Sequence, residues 1–78
     1  MNKEKLVKAF AEALEIKEED VNNGLKYQGI PEWDSISHMV LISEIEDAFD
    51  IEIDTDDVID MSSFAKAKNI LSKYGIEF

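Results

Sequence analysis

Apolar residues near the start of the chain recur with the spacing of a helix that buries one face. The spacing i, i+3, i+4, i+7 predicts a first helix within residues 2–15. Its apolar stripe consists of Leu6, Val7, Phe10, Ala13 and Leu14. Asn2 is a candidate N-cap. The pattern therefore predicts an amphipathic helix that packs against a core through a single stripe.

A second helix is predicted to begin where Asp34 or Ser35 can cap it, and to run to about Phe49. At about 100° per residue, its core face comprises Leu41, Ile42, Ile45, Ala48 and Phe49. A second stripe combines apolar and acidic side chains, namely Ile36, Met39, Val40, Ser43, Glu44 and Asp47. Apolar contacts bordered by acids favour reversible docking of a partner. The alternative is partial burial of this stripe beneath the preceding loop.

The remaining segments complete an all-α fold. Turn-forming residues between Ile16 and Asp34 predict a long loop, pinned by Val21, Leu25, Tyr27, Ile30 and Trp33. A short helix is predicted to begin at Asp54 or Thr55, and a last helix to be capped by Ser62 or Ser63 and stopped by Gly75. Ile51 and Ile53 alternate with acids as in a strand, but such a strand has no partner. We expect a small bundle of three main helices plus one short helix, with a long loop between helices 1 and 2.

Length and composition limit the functions open to this chain. A chain of 78 residues makes one small domain, over residues 1–78, in which a deep catalytic cleft is not expected. It has no cysteine, and therefore neither disulfides nor thiolate zinc sites. No apolar segment approaches membrane-spanning length. We expect a soluble, unprocessed, monomeric protein of the cytoplasm that makes no membrane contact.

Charge is the strongest compositional signal. Eight Lys and eighteen Asp plus Glu give a formal net charge of -10, which disfavours nucleic acid as a partner because phosphate binding needs basic groups. Neither Lys nor Arg occurs from Tyr27 to Ala65. This region is expected to attract basic protein surfaces. The alternative is an acidic surface that serves solubility alone.

Ser35, at the predicted start of the second helix, is open to three interpretations. It can be a simple N-cap, although Asp34 can cap instead. It can be a nucleophile with His38 as base, but His38 falls toward the core face and no G-x-S-x-G turn is present. It can also be the attachment point of a phosphorylated group, because the free N–H groups and positive dipole at a helix N-terminus favour a phosphodiester.

The acidic segment after the second helix has a calcium-like spacing at Asp50, Glu52, Asp54 and Asp56. An EF-hand loop that starts at Asp50 needs Gly at its sixth position and Glu at its twelfth. Thr55 and Met61 occupy those positions. We therefore expect no specific metal site.

Three segments together resemble a known family. They are "DSI" at Asp34–Ile36, the acidic helix "SHMVLISEIEDAFDIEI" after a Trp-bearing loop, and the trailing "MSSFAKAKNILSKY". Over nearly the whole chain, this arrangement resembles the acyl carrier proteins and related phosphopantetheine carrier domains. The resemblance implies a non-catalytic carrier. Its Ser35 receives 4'-phosphopantetheine from coenzyme A through a phosphopantetheinyl transferase, and the thiol of this arm holds acyl or aminoacyl groups as thioesters.

The resemblance also implies roles for neighbouring residues. Asp34 helps to present the site to the transferase, and Ile36 is a docking contact. The recognition face for basic partner enzymes, which are acyl-activating enzymes, acyltransferases or synthases, comprises Met39, Val40, Glu44 and Asp47. Carriers of fatty acid synthesis commonly have Leu and Glu at the positions of Ile36 and Val40, which favours a specialised biosynthetic pathway for this chain. The alternative function is an unmodified acidic helical adaptor that binds a basic protein.

Overall fold

The computed structural model describes residues 2–78, which form four α-helices and no β-strand. The helices are α1 (Asn2–Leu14), α2 (Ser35–Phe49), α3 (Thr55–Asp60) and α4 (Phe64–Ser72). A 3₁₀ turn lies at Glu18–Asp20 in the long loop between α1 and α2. The predicted all-α bundle is confirmed. None of the helices within residues 2–78 has the length and apolarity needed to cross a bilayer.

Polar side chains at the helix ends settle most of the capping alternatives. The Ser63 hydroxyl accepts from the backbone N–H of Lys66 at 2.9 Å, so Ser63 is the N-cap of α4. Gly75 follows α4 with a positive φ of 85°, a conformation that costs glycine little. Asn2 is itself the first helical residue of α1, and its amide donates to the backbone oxygen of Glu77 at 2.9 Å. Its side chain therefore ties the two ends of the described chain together.

Three aromatic rings form the centre of the core. Phe10 from α1, Trp33 from the loop and Phe64 from α4 are all essentially inaccessible to solvent. Phe10 packs edge-on against both others, with centroids 5.4 Å from Trp33 and 5.1 Å from Phe64, a favourable geometry for aromatic pairs. On the predicted core face of α2, Leu41, Ile42 and Ile45 are buried, whereas Ala48 and Phe49 are half-buried.

The long loop is fixed to the bundle by its apolar side chains and by backbone hydrogen bonds. Trp33 is fully buried. The backbone N–H of Tyr27 donates to Ser62 O at 2.9 Å, and that of Phe64 donates to Leu25 O at 3.0 Å. These contacts fasten the loop to the connection between α3 and α4. They fix the positions of Asp34 and Ser35 at the start of α2.

Candidate functional site

Asp34 caps α2, which resolves the alternative left open by the sequence. Its Oδ1 accepts from the backbone N–H groups of Ile36 at 3.1 Å and Ser37 at 2.9 Å. Hydrogen bonds from the Ser37 backbone and side chain, and from the Ile36 backbone, hold the pKa of Asp34 below its ordinary value, while partial burial opposes this. The carboxylate is therefore ionised at neutral pH.

Ser37 completes the cap, and the sequence analysis missed this role. The backbone N–H of Asp34 donates to Ser37 Oγ at 2.9 Å, so the two residues form a reciprocal capping box. The Ser37 hydroxyl also donates a hydrogen bond to the backbone oxygen of Glu32. The signal was available, because polar side chains at the N-cap and N3 positions are the signature of such a box. The box fixes the turn that carries Ser35.

Ser35 therefore takes no part in capping the helix. It is the first residue of α2, its side chain is exposed, and within residues 2–78 its hydroxyl makes no hydrogen bond. One expectation is corrected, since the N–H groups of Ile36 and Ser37 are not free to bind a phosphodiester. Both donate to the Asp34 carboxylate, at 3.1 and 2.9 Å. The hydroxyl itself remains accessible.

His38 is buried beneath the start of α2, and both of its ring nitrogens are engaged. The indole Nε1–H of Trp33 donates to His38 Nδ1 at 2.9 Å, and His38 Nε2 lies 2.8 Å from the backbone oxygen of Val58. Neither nitrogen is available to take a proton from Ser35. The predicted placement of His38 toward the core is confirmed, and the geometry needed for a Ser-His nucleophile is not formed.

The acids after α2 do not assemble into a metal centre. Within residues 2–78, no group of three or more His, Asp and Glu side chains could hold a metal ion. Glu46, at the end of α2, instead accepts a hydrogen bond from the backbone N–H of Ile53 at 2.9 Å. This contact fixes the turn that leads to α3.

On one side of Ser35 lies an uncharged cleft between α2 and α3, about 400 Å³ in volume. We call it the Ser35 cleft, and its lining is Tyr27, Ser35, His38, Met39, Val58, Ile59, Met61 and Ser62. Met61 and His38 are buried at its base, whereas Met39 and Ile59 are 59% and 75% exposed at its rim. An apolar chain attached at Ser35 would meet no charged side chain there.

On the other side of the α2 N-terminus lies a depression of about 440 Å³ between α1, the loop and α2. We call it the acidic groove, and its lining is Glu12, Ala13, Glu15, Pro31, Glu32, Asp34, Ile36, Ser37 and Val40. Ile36 is 77% and Val40 is 45% exposed. Neither of the two ion pairs within residues 2–78 involves an acid of this groove. Its charge is therefore open to a basic partner.

The residues predicted as a recognition face are exposed, except for Glu44, and they do not lie on one surface. Ile36 and Val40 line the acidic groove, whereas Met39 lines the Ser35 cleft. Asp47 is exposed farther along α2. Glu44 is half-buried in a smaller depression that it shares with Lys5 and Lys8 of α1. The alternative of burial beneath the loop is excluded for the apolar members of the face.

Comparison with known proteins gives one match and two negative results. A family model described as the phosphopantetheine attachment site matches residues 4–69. Searches of curated proteins and of solved structures found no significant match. The family's prosthetic group is covalently attached 4'-phosphopantetheine. An exposed, unbonded serine hydroxyl beside an uncharged cleft fits such a group. The chain therefore belongs to the family of proteins with a phosphopantetheine attachment site.

Proposed function

We propose that Ser35 is the residue that receives the 4'-phosphopantetheine arm. The observation that carries this proposal is the freedom of the Ser35 hydroxyl, which is exposed and unbonded while Asp34 and Ser37 cap the helix in its place. A serine that served only as a cap would be engaged with the backbone of the first turn.

The attachment chemistry is a phosphoryl transfer from coenzyme A. The Ser35 oxygen forms a bond to the phosphorus next to pantetheine, the pyrophosphate bond breaks, and adenosine 3',5'-bisphosphate leaves. The hydroxyl proton passes to a base that the transferase supplies. Within this chain, Asp34 caps the helix and so holds in place the turn that carries the reacting oxygen. Ile36, on the next position of the helix, offers an exposed apolar contact for the transferase.

The proposed cargo is an acyl or aminoacyl group, held as a thioester in a specialised biosynthetic pathway. When bound, the arm supplies a thiol, which the chain lacks because it has no cysteine. The Ser35 cleft supports this cargo class, because its apolar and uncharged lining offers contact to an arm and its acyl group.

Partner enzymes are proposed to dock through basic surfaces on the acidic groove and the adjoining face of α2. The predicted recognition residues are Asp34, Ile36, Met39, Val40, Glu44 and Asp47. Exposed apolar side chains supply short-range contact, and unpaired carboxylates steer encounter without adding much affinity. Brief, salt-sensitive complexes suit a carrier that must visit several enzymes.

The test is intact mass after incubation with coenzyme A, Mg²⁺ and a broad-specificity phosphopantetheinyl transferase. The wild type is expected to gain one phosphopantetheine, and Ser35→Ala to gain none. Ser72→Ala is the matched control, because Ser72 is an exposed serine on α4, and it should be modified like the wild type. A folded wild type that gains nothing would favour the unmodified adaptor.

A further inference from the structure

The short helix α3 buries very little apolar surface. Among its residues, only Asp57 is buried, while Val58 is half-buried and Ile59 is 75% exposed. A helix of 6 residues has almost no stability of its own, because isolated helices shorter than about 12 residues are marginal in water. The position of α3 therefore depends on the few contacts that tie it to α2 and α4.

On the α4 side, the tie is the Asp57 carboxylate. Lys73 Nζ lies 2.7 Å from Asp57 Oδ1, and the Tyr74 hydroxyl donates to Asp57 Oδ2 at 2.6 Å. The same hydroxyl accepts from the backbone N–H of Asp54 at 3.0 Å. The hydrogen bond from Lys73, followed by that from Tyr74, holds the pKa of Asp57 below its ordinary value. The Asp57 carboxylate is therefore ionised at neutral pH and accepts both hydrogen bonds.

On the α2 side, the polar tie is the imidazole of His38. An indole N–H can only donate, so His38 Nδ1 must accept from Trp33, and the ring proton is assigned to Nε2. His38 Nε2 then donates to the backbone oxygen of Val58. Val58 O is one of the last four carbonyls of α3, which have no acceptor role within the helix. His38 thus caps the C-terminal end of α3 from another helix.

The imidazole is itself held rigidly in place. It stacks on Trp33, with ring centroids 6.0 Å apart and an interplanar angle of 23°. It also packs edge-to-face with Tyr27, with ring centroids 5.3 Å apart. Trp33 is fully buried in the core, immediately before the Asp34 cap. A continuous chain of contacts therefore runs from the loop before Ser35, through His38, to α3.

We propose that His38 is the positioning residue that holds α3 against α2 and so fixes the width of the Ser35 cleft. His38 and Val58 both line this cleft. Without the bond from His38, α3 loses its direct hydrogen bond to α2 but keeps the bonds from Asp57 to Lys73 and Tyr74, and the backbone at Val58 moves away from α2. The effect on α3 is independent of any modification. The consequence for an arm in the cleft rests on the proposed function above.

The test compares His38→Leu with His38→Gln. Leucine keeps much of the apolar volume but removes both hydrogen bonds, whereas a glutamine amide can accept from Trp33 and donate to Val58 as the imidazole does. The leucine variant leaves the buried indole N–H without an acceptor, which is costly. If it does not fold, the double variant Trp33→Phe with His38→Leu replaces it, because it leaves no unpaired donor.

Two measurements separate positioning from general stability. Hydrogen exchange of the backbone amides reports each helix by itself, and alkylation of the arm thiol by iodoacetamide reports its exposure in the modified protein. In His38→Leu, exchange in α3 is expected to rise about tenfold, the gain expected when a hydrogen bond is lost, while exchange in α1 is unchanged. The thiol is expected to react several times faster. His38→Gln should restore both values toward the wild type.

Equal acceleration of exchange in all four helices, or unchanged exchange in α3, would overturn the proposal. So would a folded His38→Gln variant that behaves like His38→Leu. A wild type that accepts no phosphopantetheine would refute the proposed function instead. Exchange in the unmodified chain would still decide whether His38 positions α3.

Discussion

The two surfaces that flank Ser35 differ sharply in charge. The Ser35 cleft has no charged side chain in its lining, whereas the acidic groove has four, Glu12, Glu15, Glu32 and Asp34. They are of similar size, about 400 and 440 Å³, and both present exposed apolar side chains. The difference in charge is therefore not a difference in size.

Under the proposed function, this difference separates two tasks that the carrier performs around one residue, Ser35. A carboxylate beside an apolar cargo would have to be desolvated when the cargo packs against it, and that costs free energy. At the acidic groove, a carboxylate attracts a basic partner over several ångströms and so raises the encounter rate. The N-terminus of α2, with Ser35 at its first position, is the boundary between the two surfaces.

The largest expected effect follows from neutralising the groove. The triple variant Glu12→Gln, Glu15→Gln, Glu32→Gln leaves the Asp34 cap intact and removes three negative charges. We expect kcat/KM of the phosphopantetheinyl transferase to fall about tenfold at low salt, mainly through KM, because steering depends on these charges. Steady-state kinetics at two ionic strengths measures it, and the salt dependence should shrink in the variant.

The matched control for this experiment lies in the 3₁₀ turn. Glu18→Gln, Glu19→Gln, Asp20→Asn changes net charge by the same amount at exposed positions outside the groove. It should alter kcat/KM by less than the groove variant does, and by less than about twofold at 0.15 M ionic strength, where exposed charges that are well separated are largely screened. If kcat/KM falls equally in both triple variants, the total charge of the chain directs docking and the groove has no special role.

A smaller effect is expected when one charge is added to each surface. Met39→Glu places a carboxylate in the Ser35 cleft, and Val40→Glu places one in the acidic groove. With an octanoyl thioester on the arm, Met39→Glu should speed cleavage by hydroxylamine about threefold, because a charged rim weakens apolar contact with the chain. Val40→Glu should leave this rate unchanged. Equal rates in both variants would mean that the octanoyl chain does not contact the cleft.

The helices were predictable from the sequence because their apolar stripes and caps are local features. The burial of Leu41, Ile42 and Ile45 follows from the helical period alone. The choice between Asp34 and Ser35 as cap was left open, because the apolar stripes carry no information about it and the pairing of Asp34 with Ser37 was not recognised. It was decided by Ser37, whose hydroxyl pairs reciprocally with the Asp34 backbone.

The contacts that shape the site could not be predicted from the sequence, because they join residues that are far apart along the chain. The bond from His38 to Val58 spans 20 positions, and no helical angle computed for α2 reveals where α3 lies. The acidic groove likewise needs Glu12 of α1 and Glu15, the residue after α1, beside Ile36, a proximity set by how α1 packs on α2. Helical angles placed Met39 and Val40 on one stripe, whereas neighbouring elements divide them between two surfaces.

The smallest expected effect is on stability, and it returns to the unpaired acids of the groove. The eighteen acidic side chains outnumber the eight lysines and leave a formal net charge of -10, so repulsion disfavours the folded state. Raising KCl from low to high concentration shortens the screening length from about 30 Å at 0.01 M to about 3 Å at 1 M. The melting temperature of the wild type should then rise by about 3 °C, equivalent to roughly 0.5 kcal/mol for a domain of this size. The groove triple variant should show a smaller rise, and a wild-type melting temperature indifferent to salt would mean that the folded chain already compensates these charges.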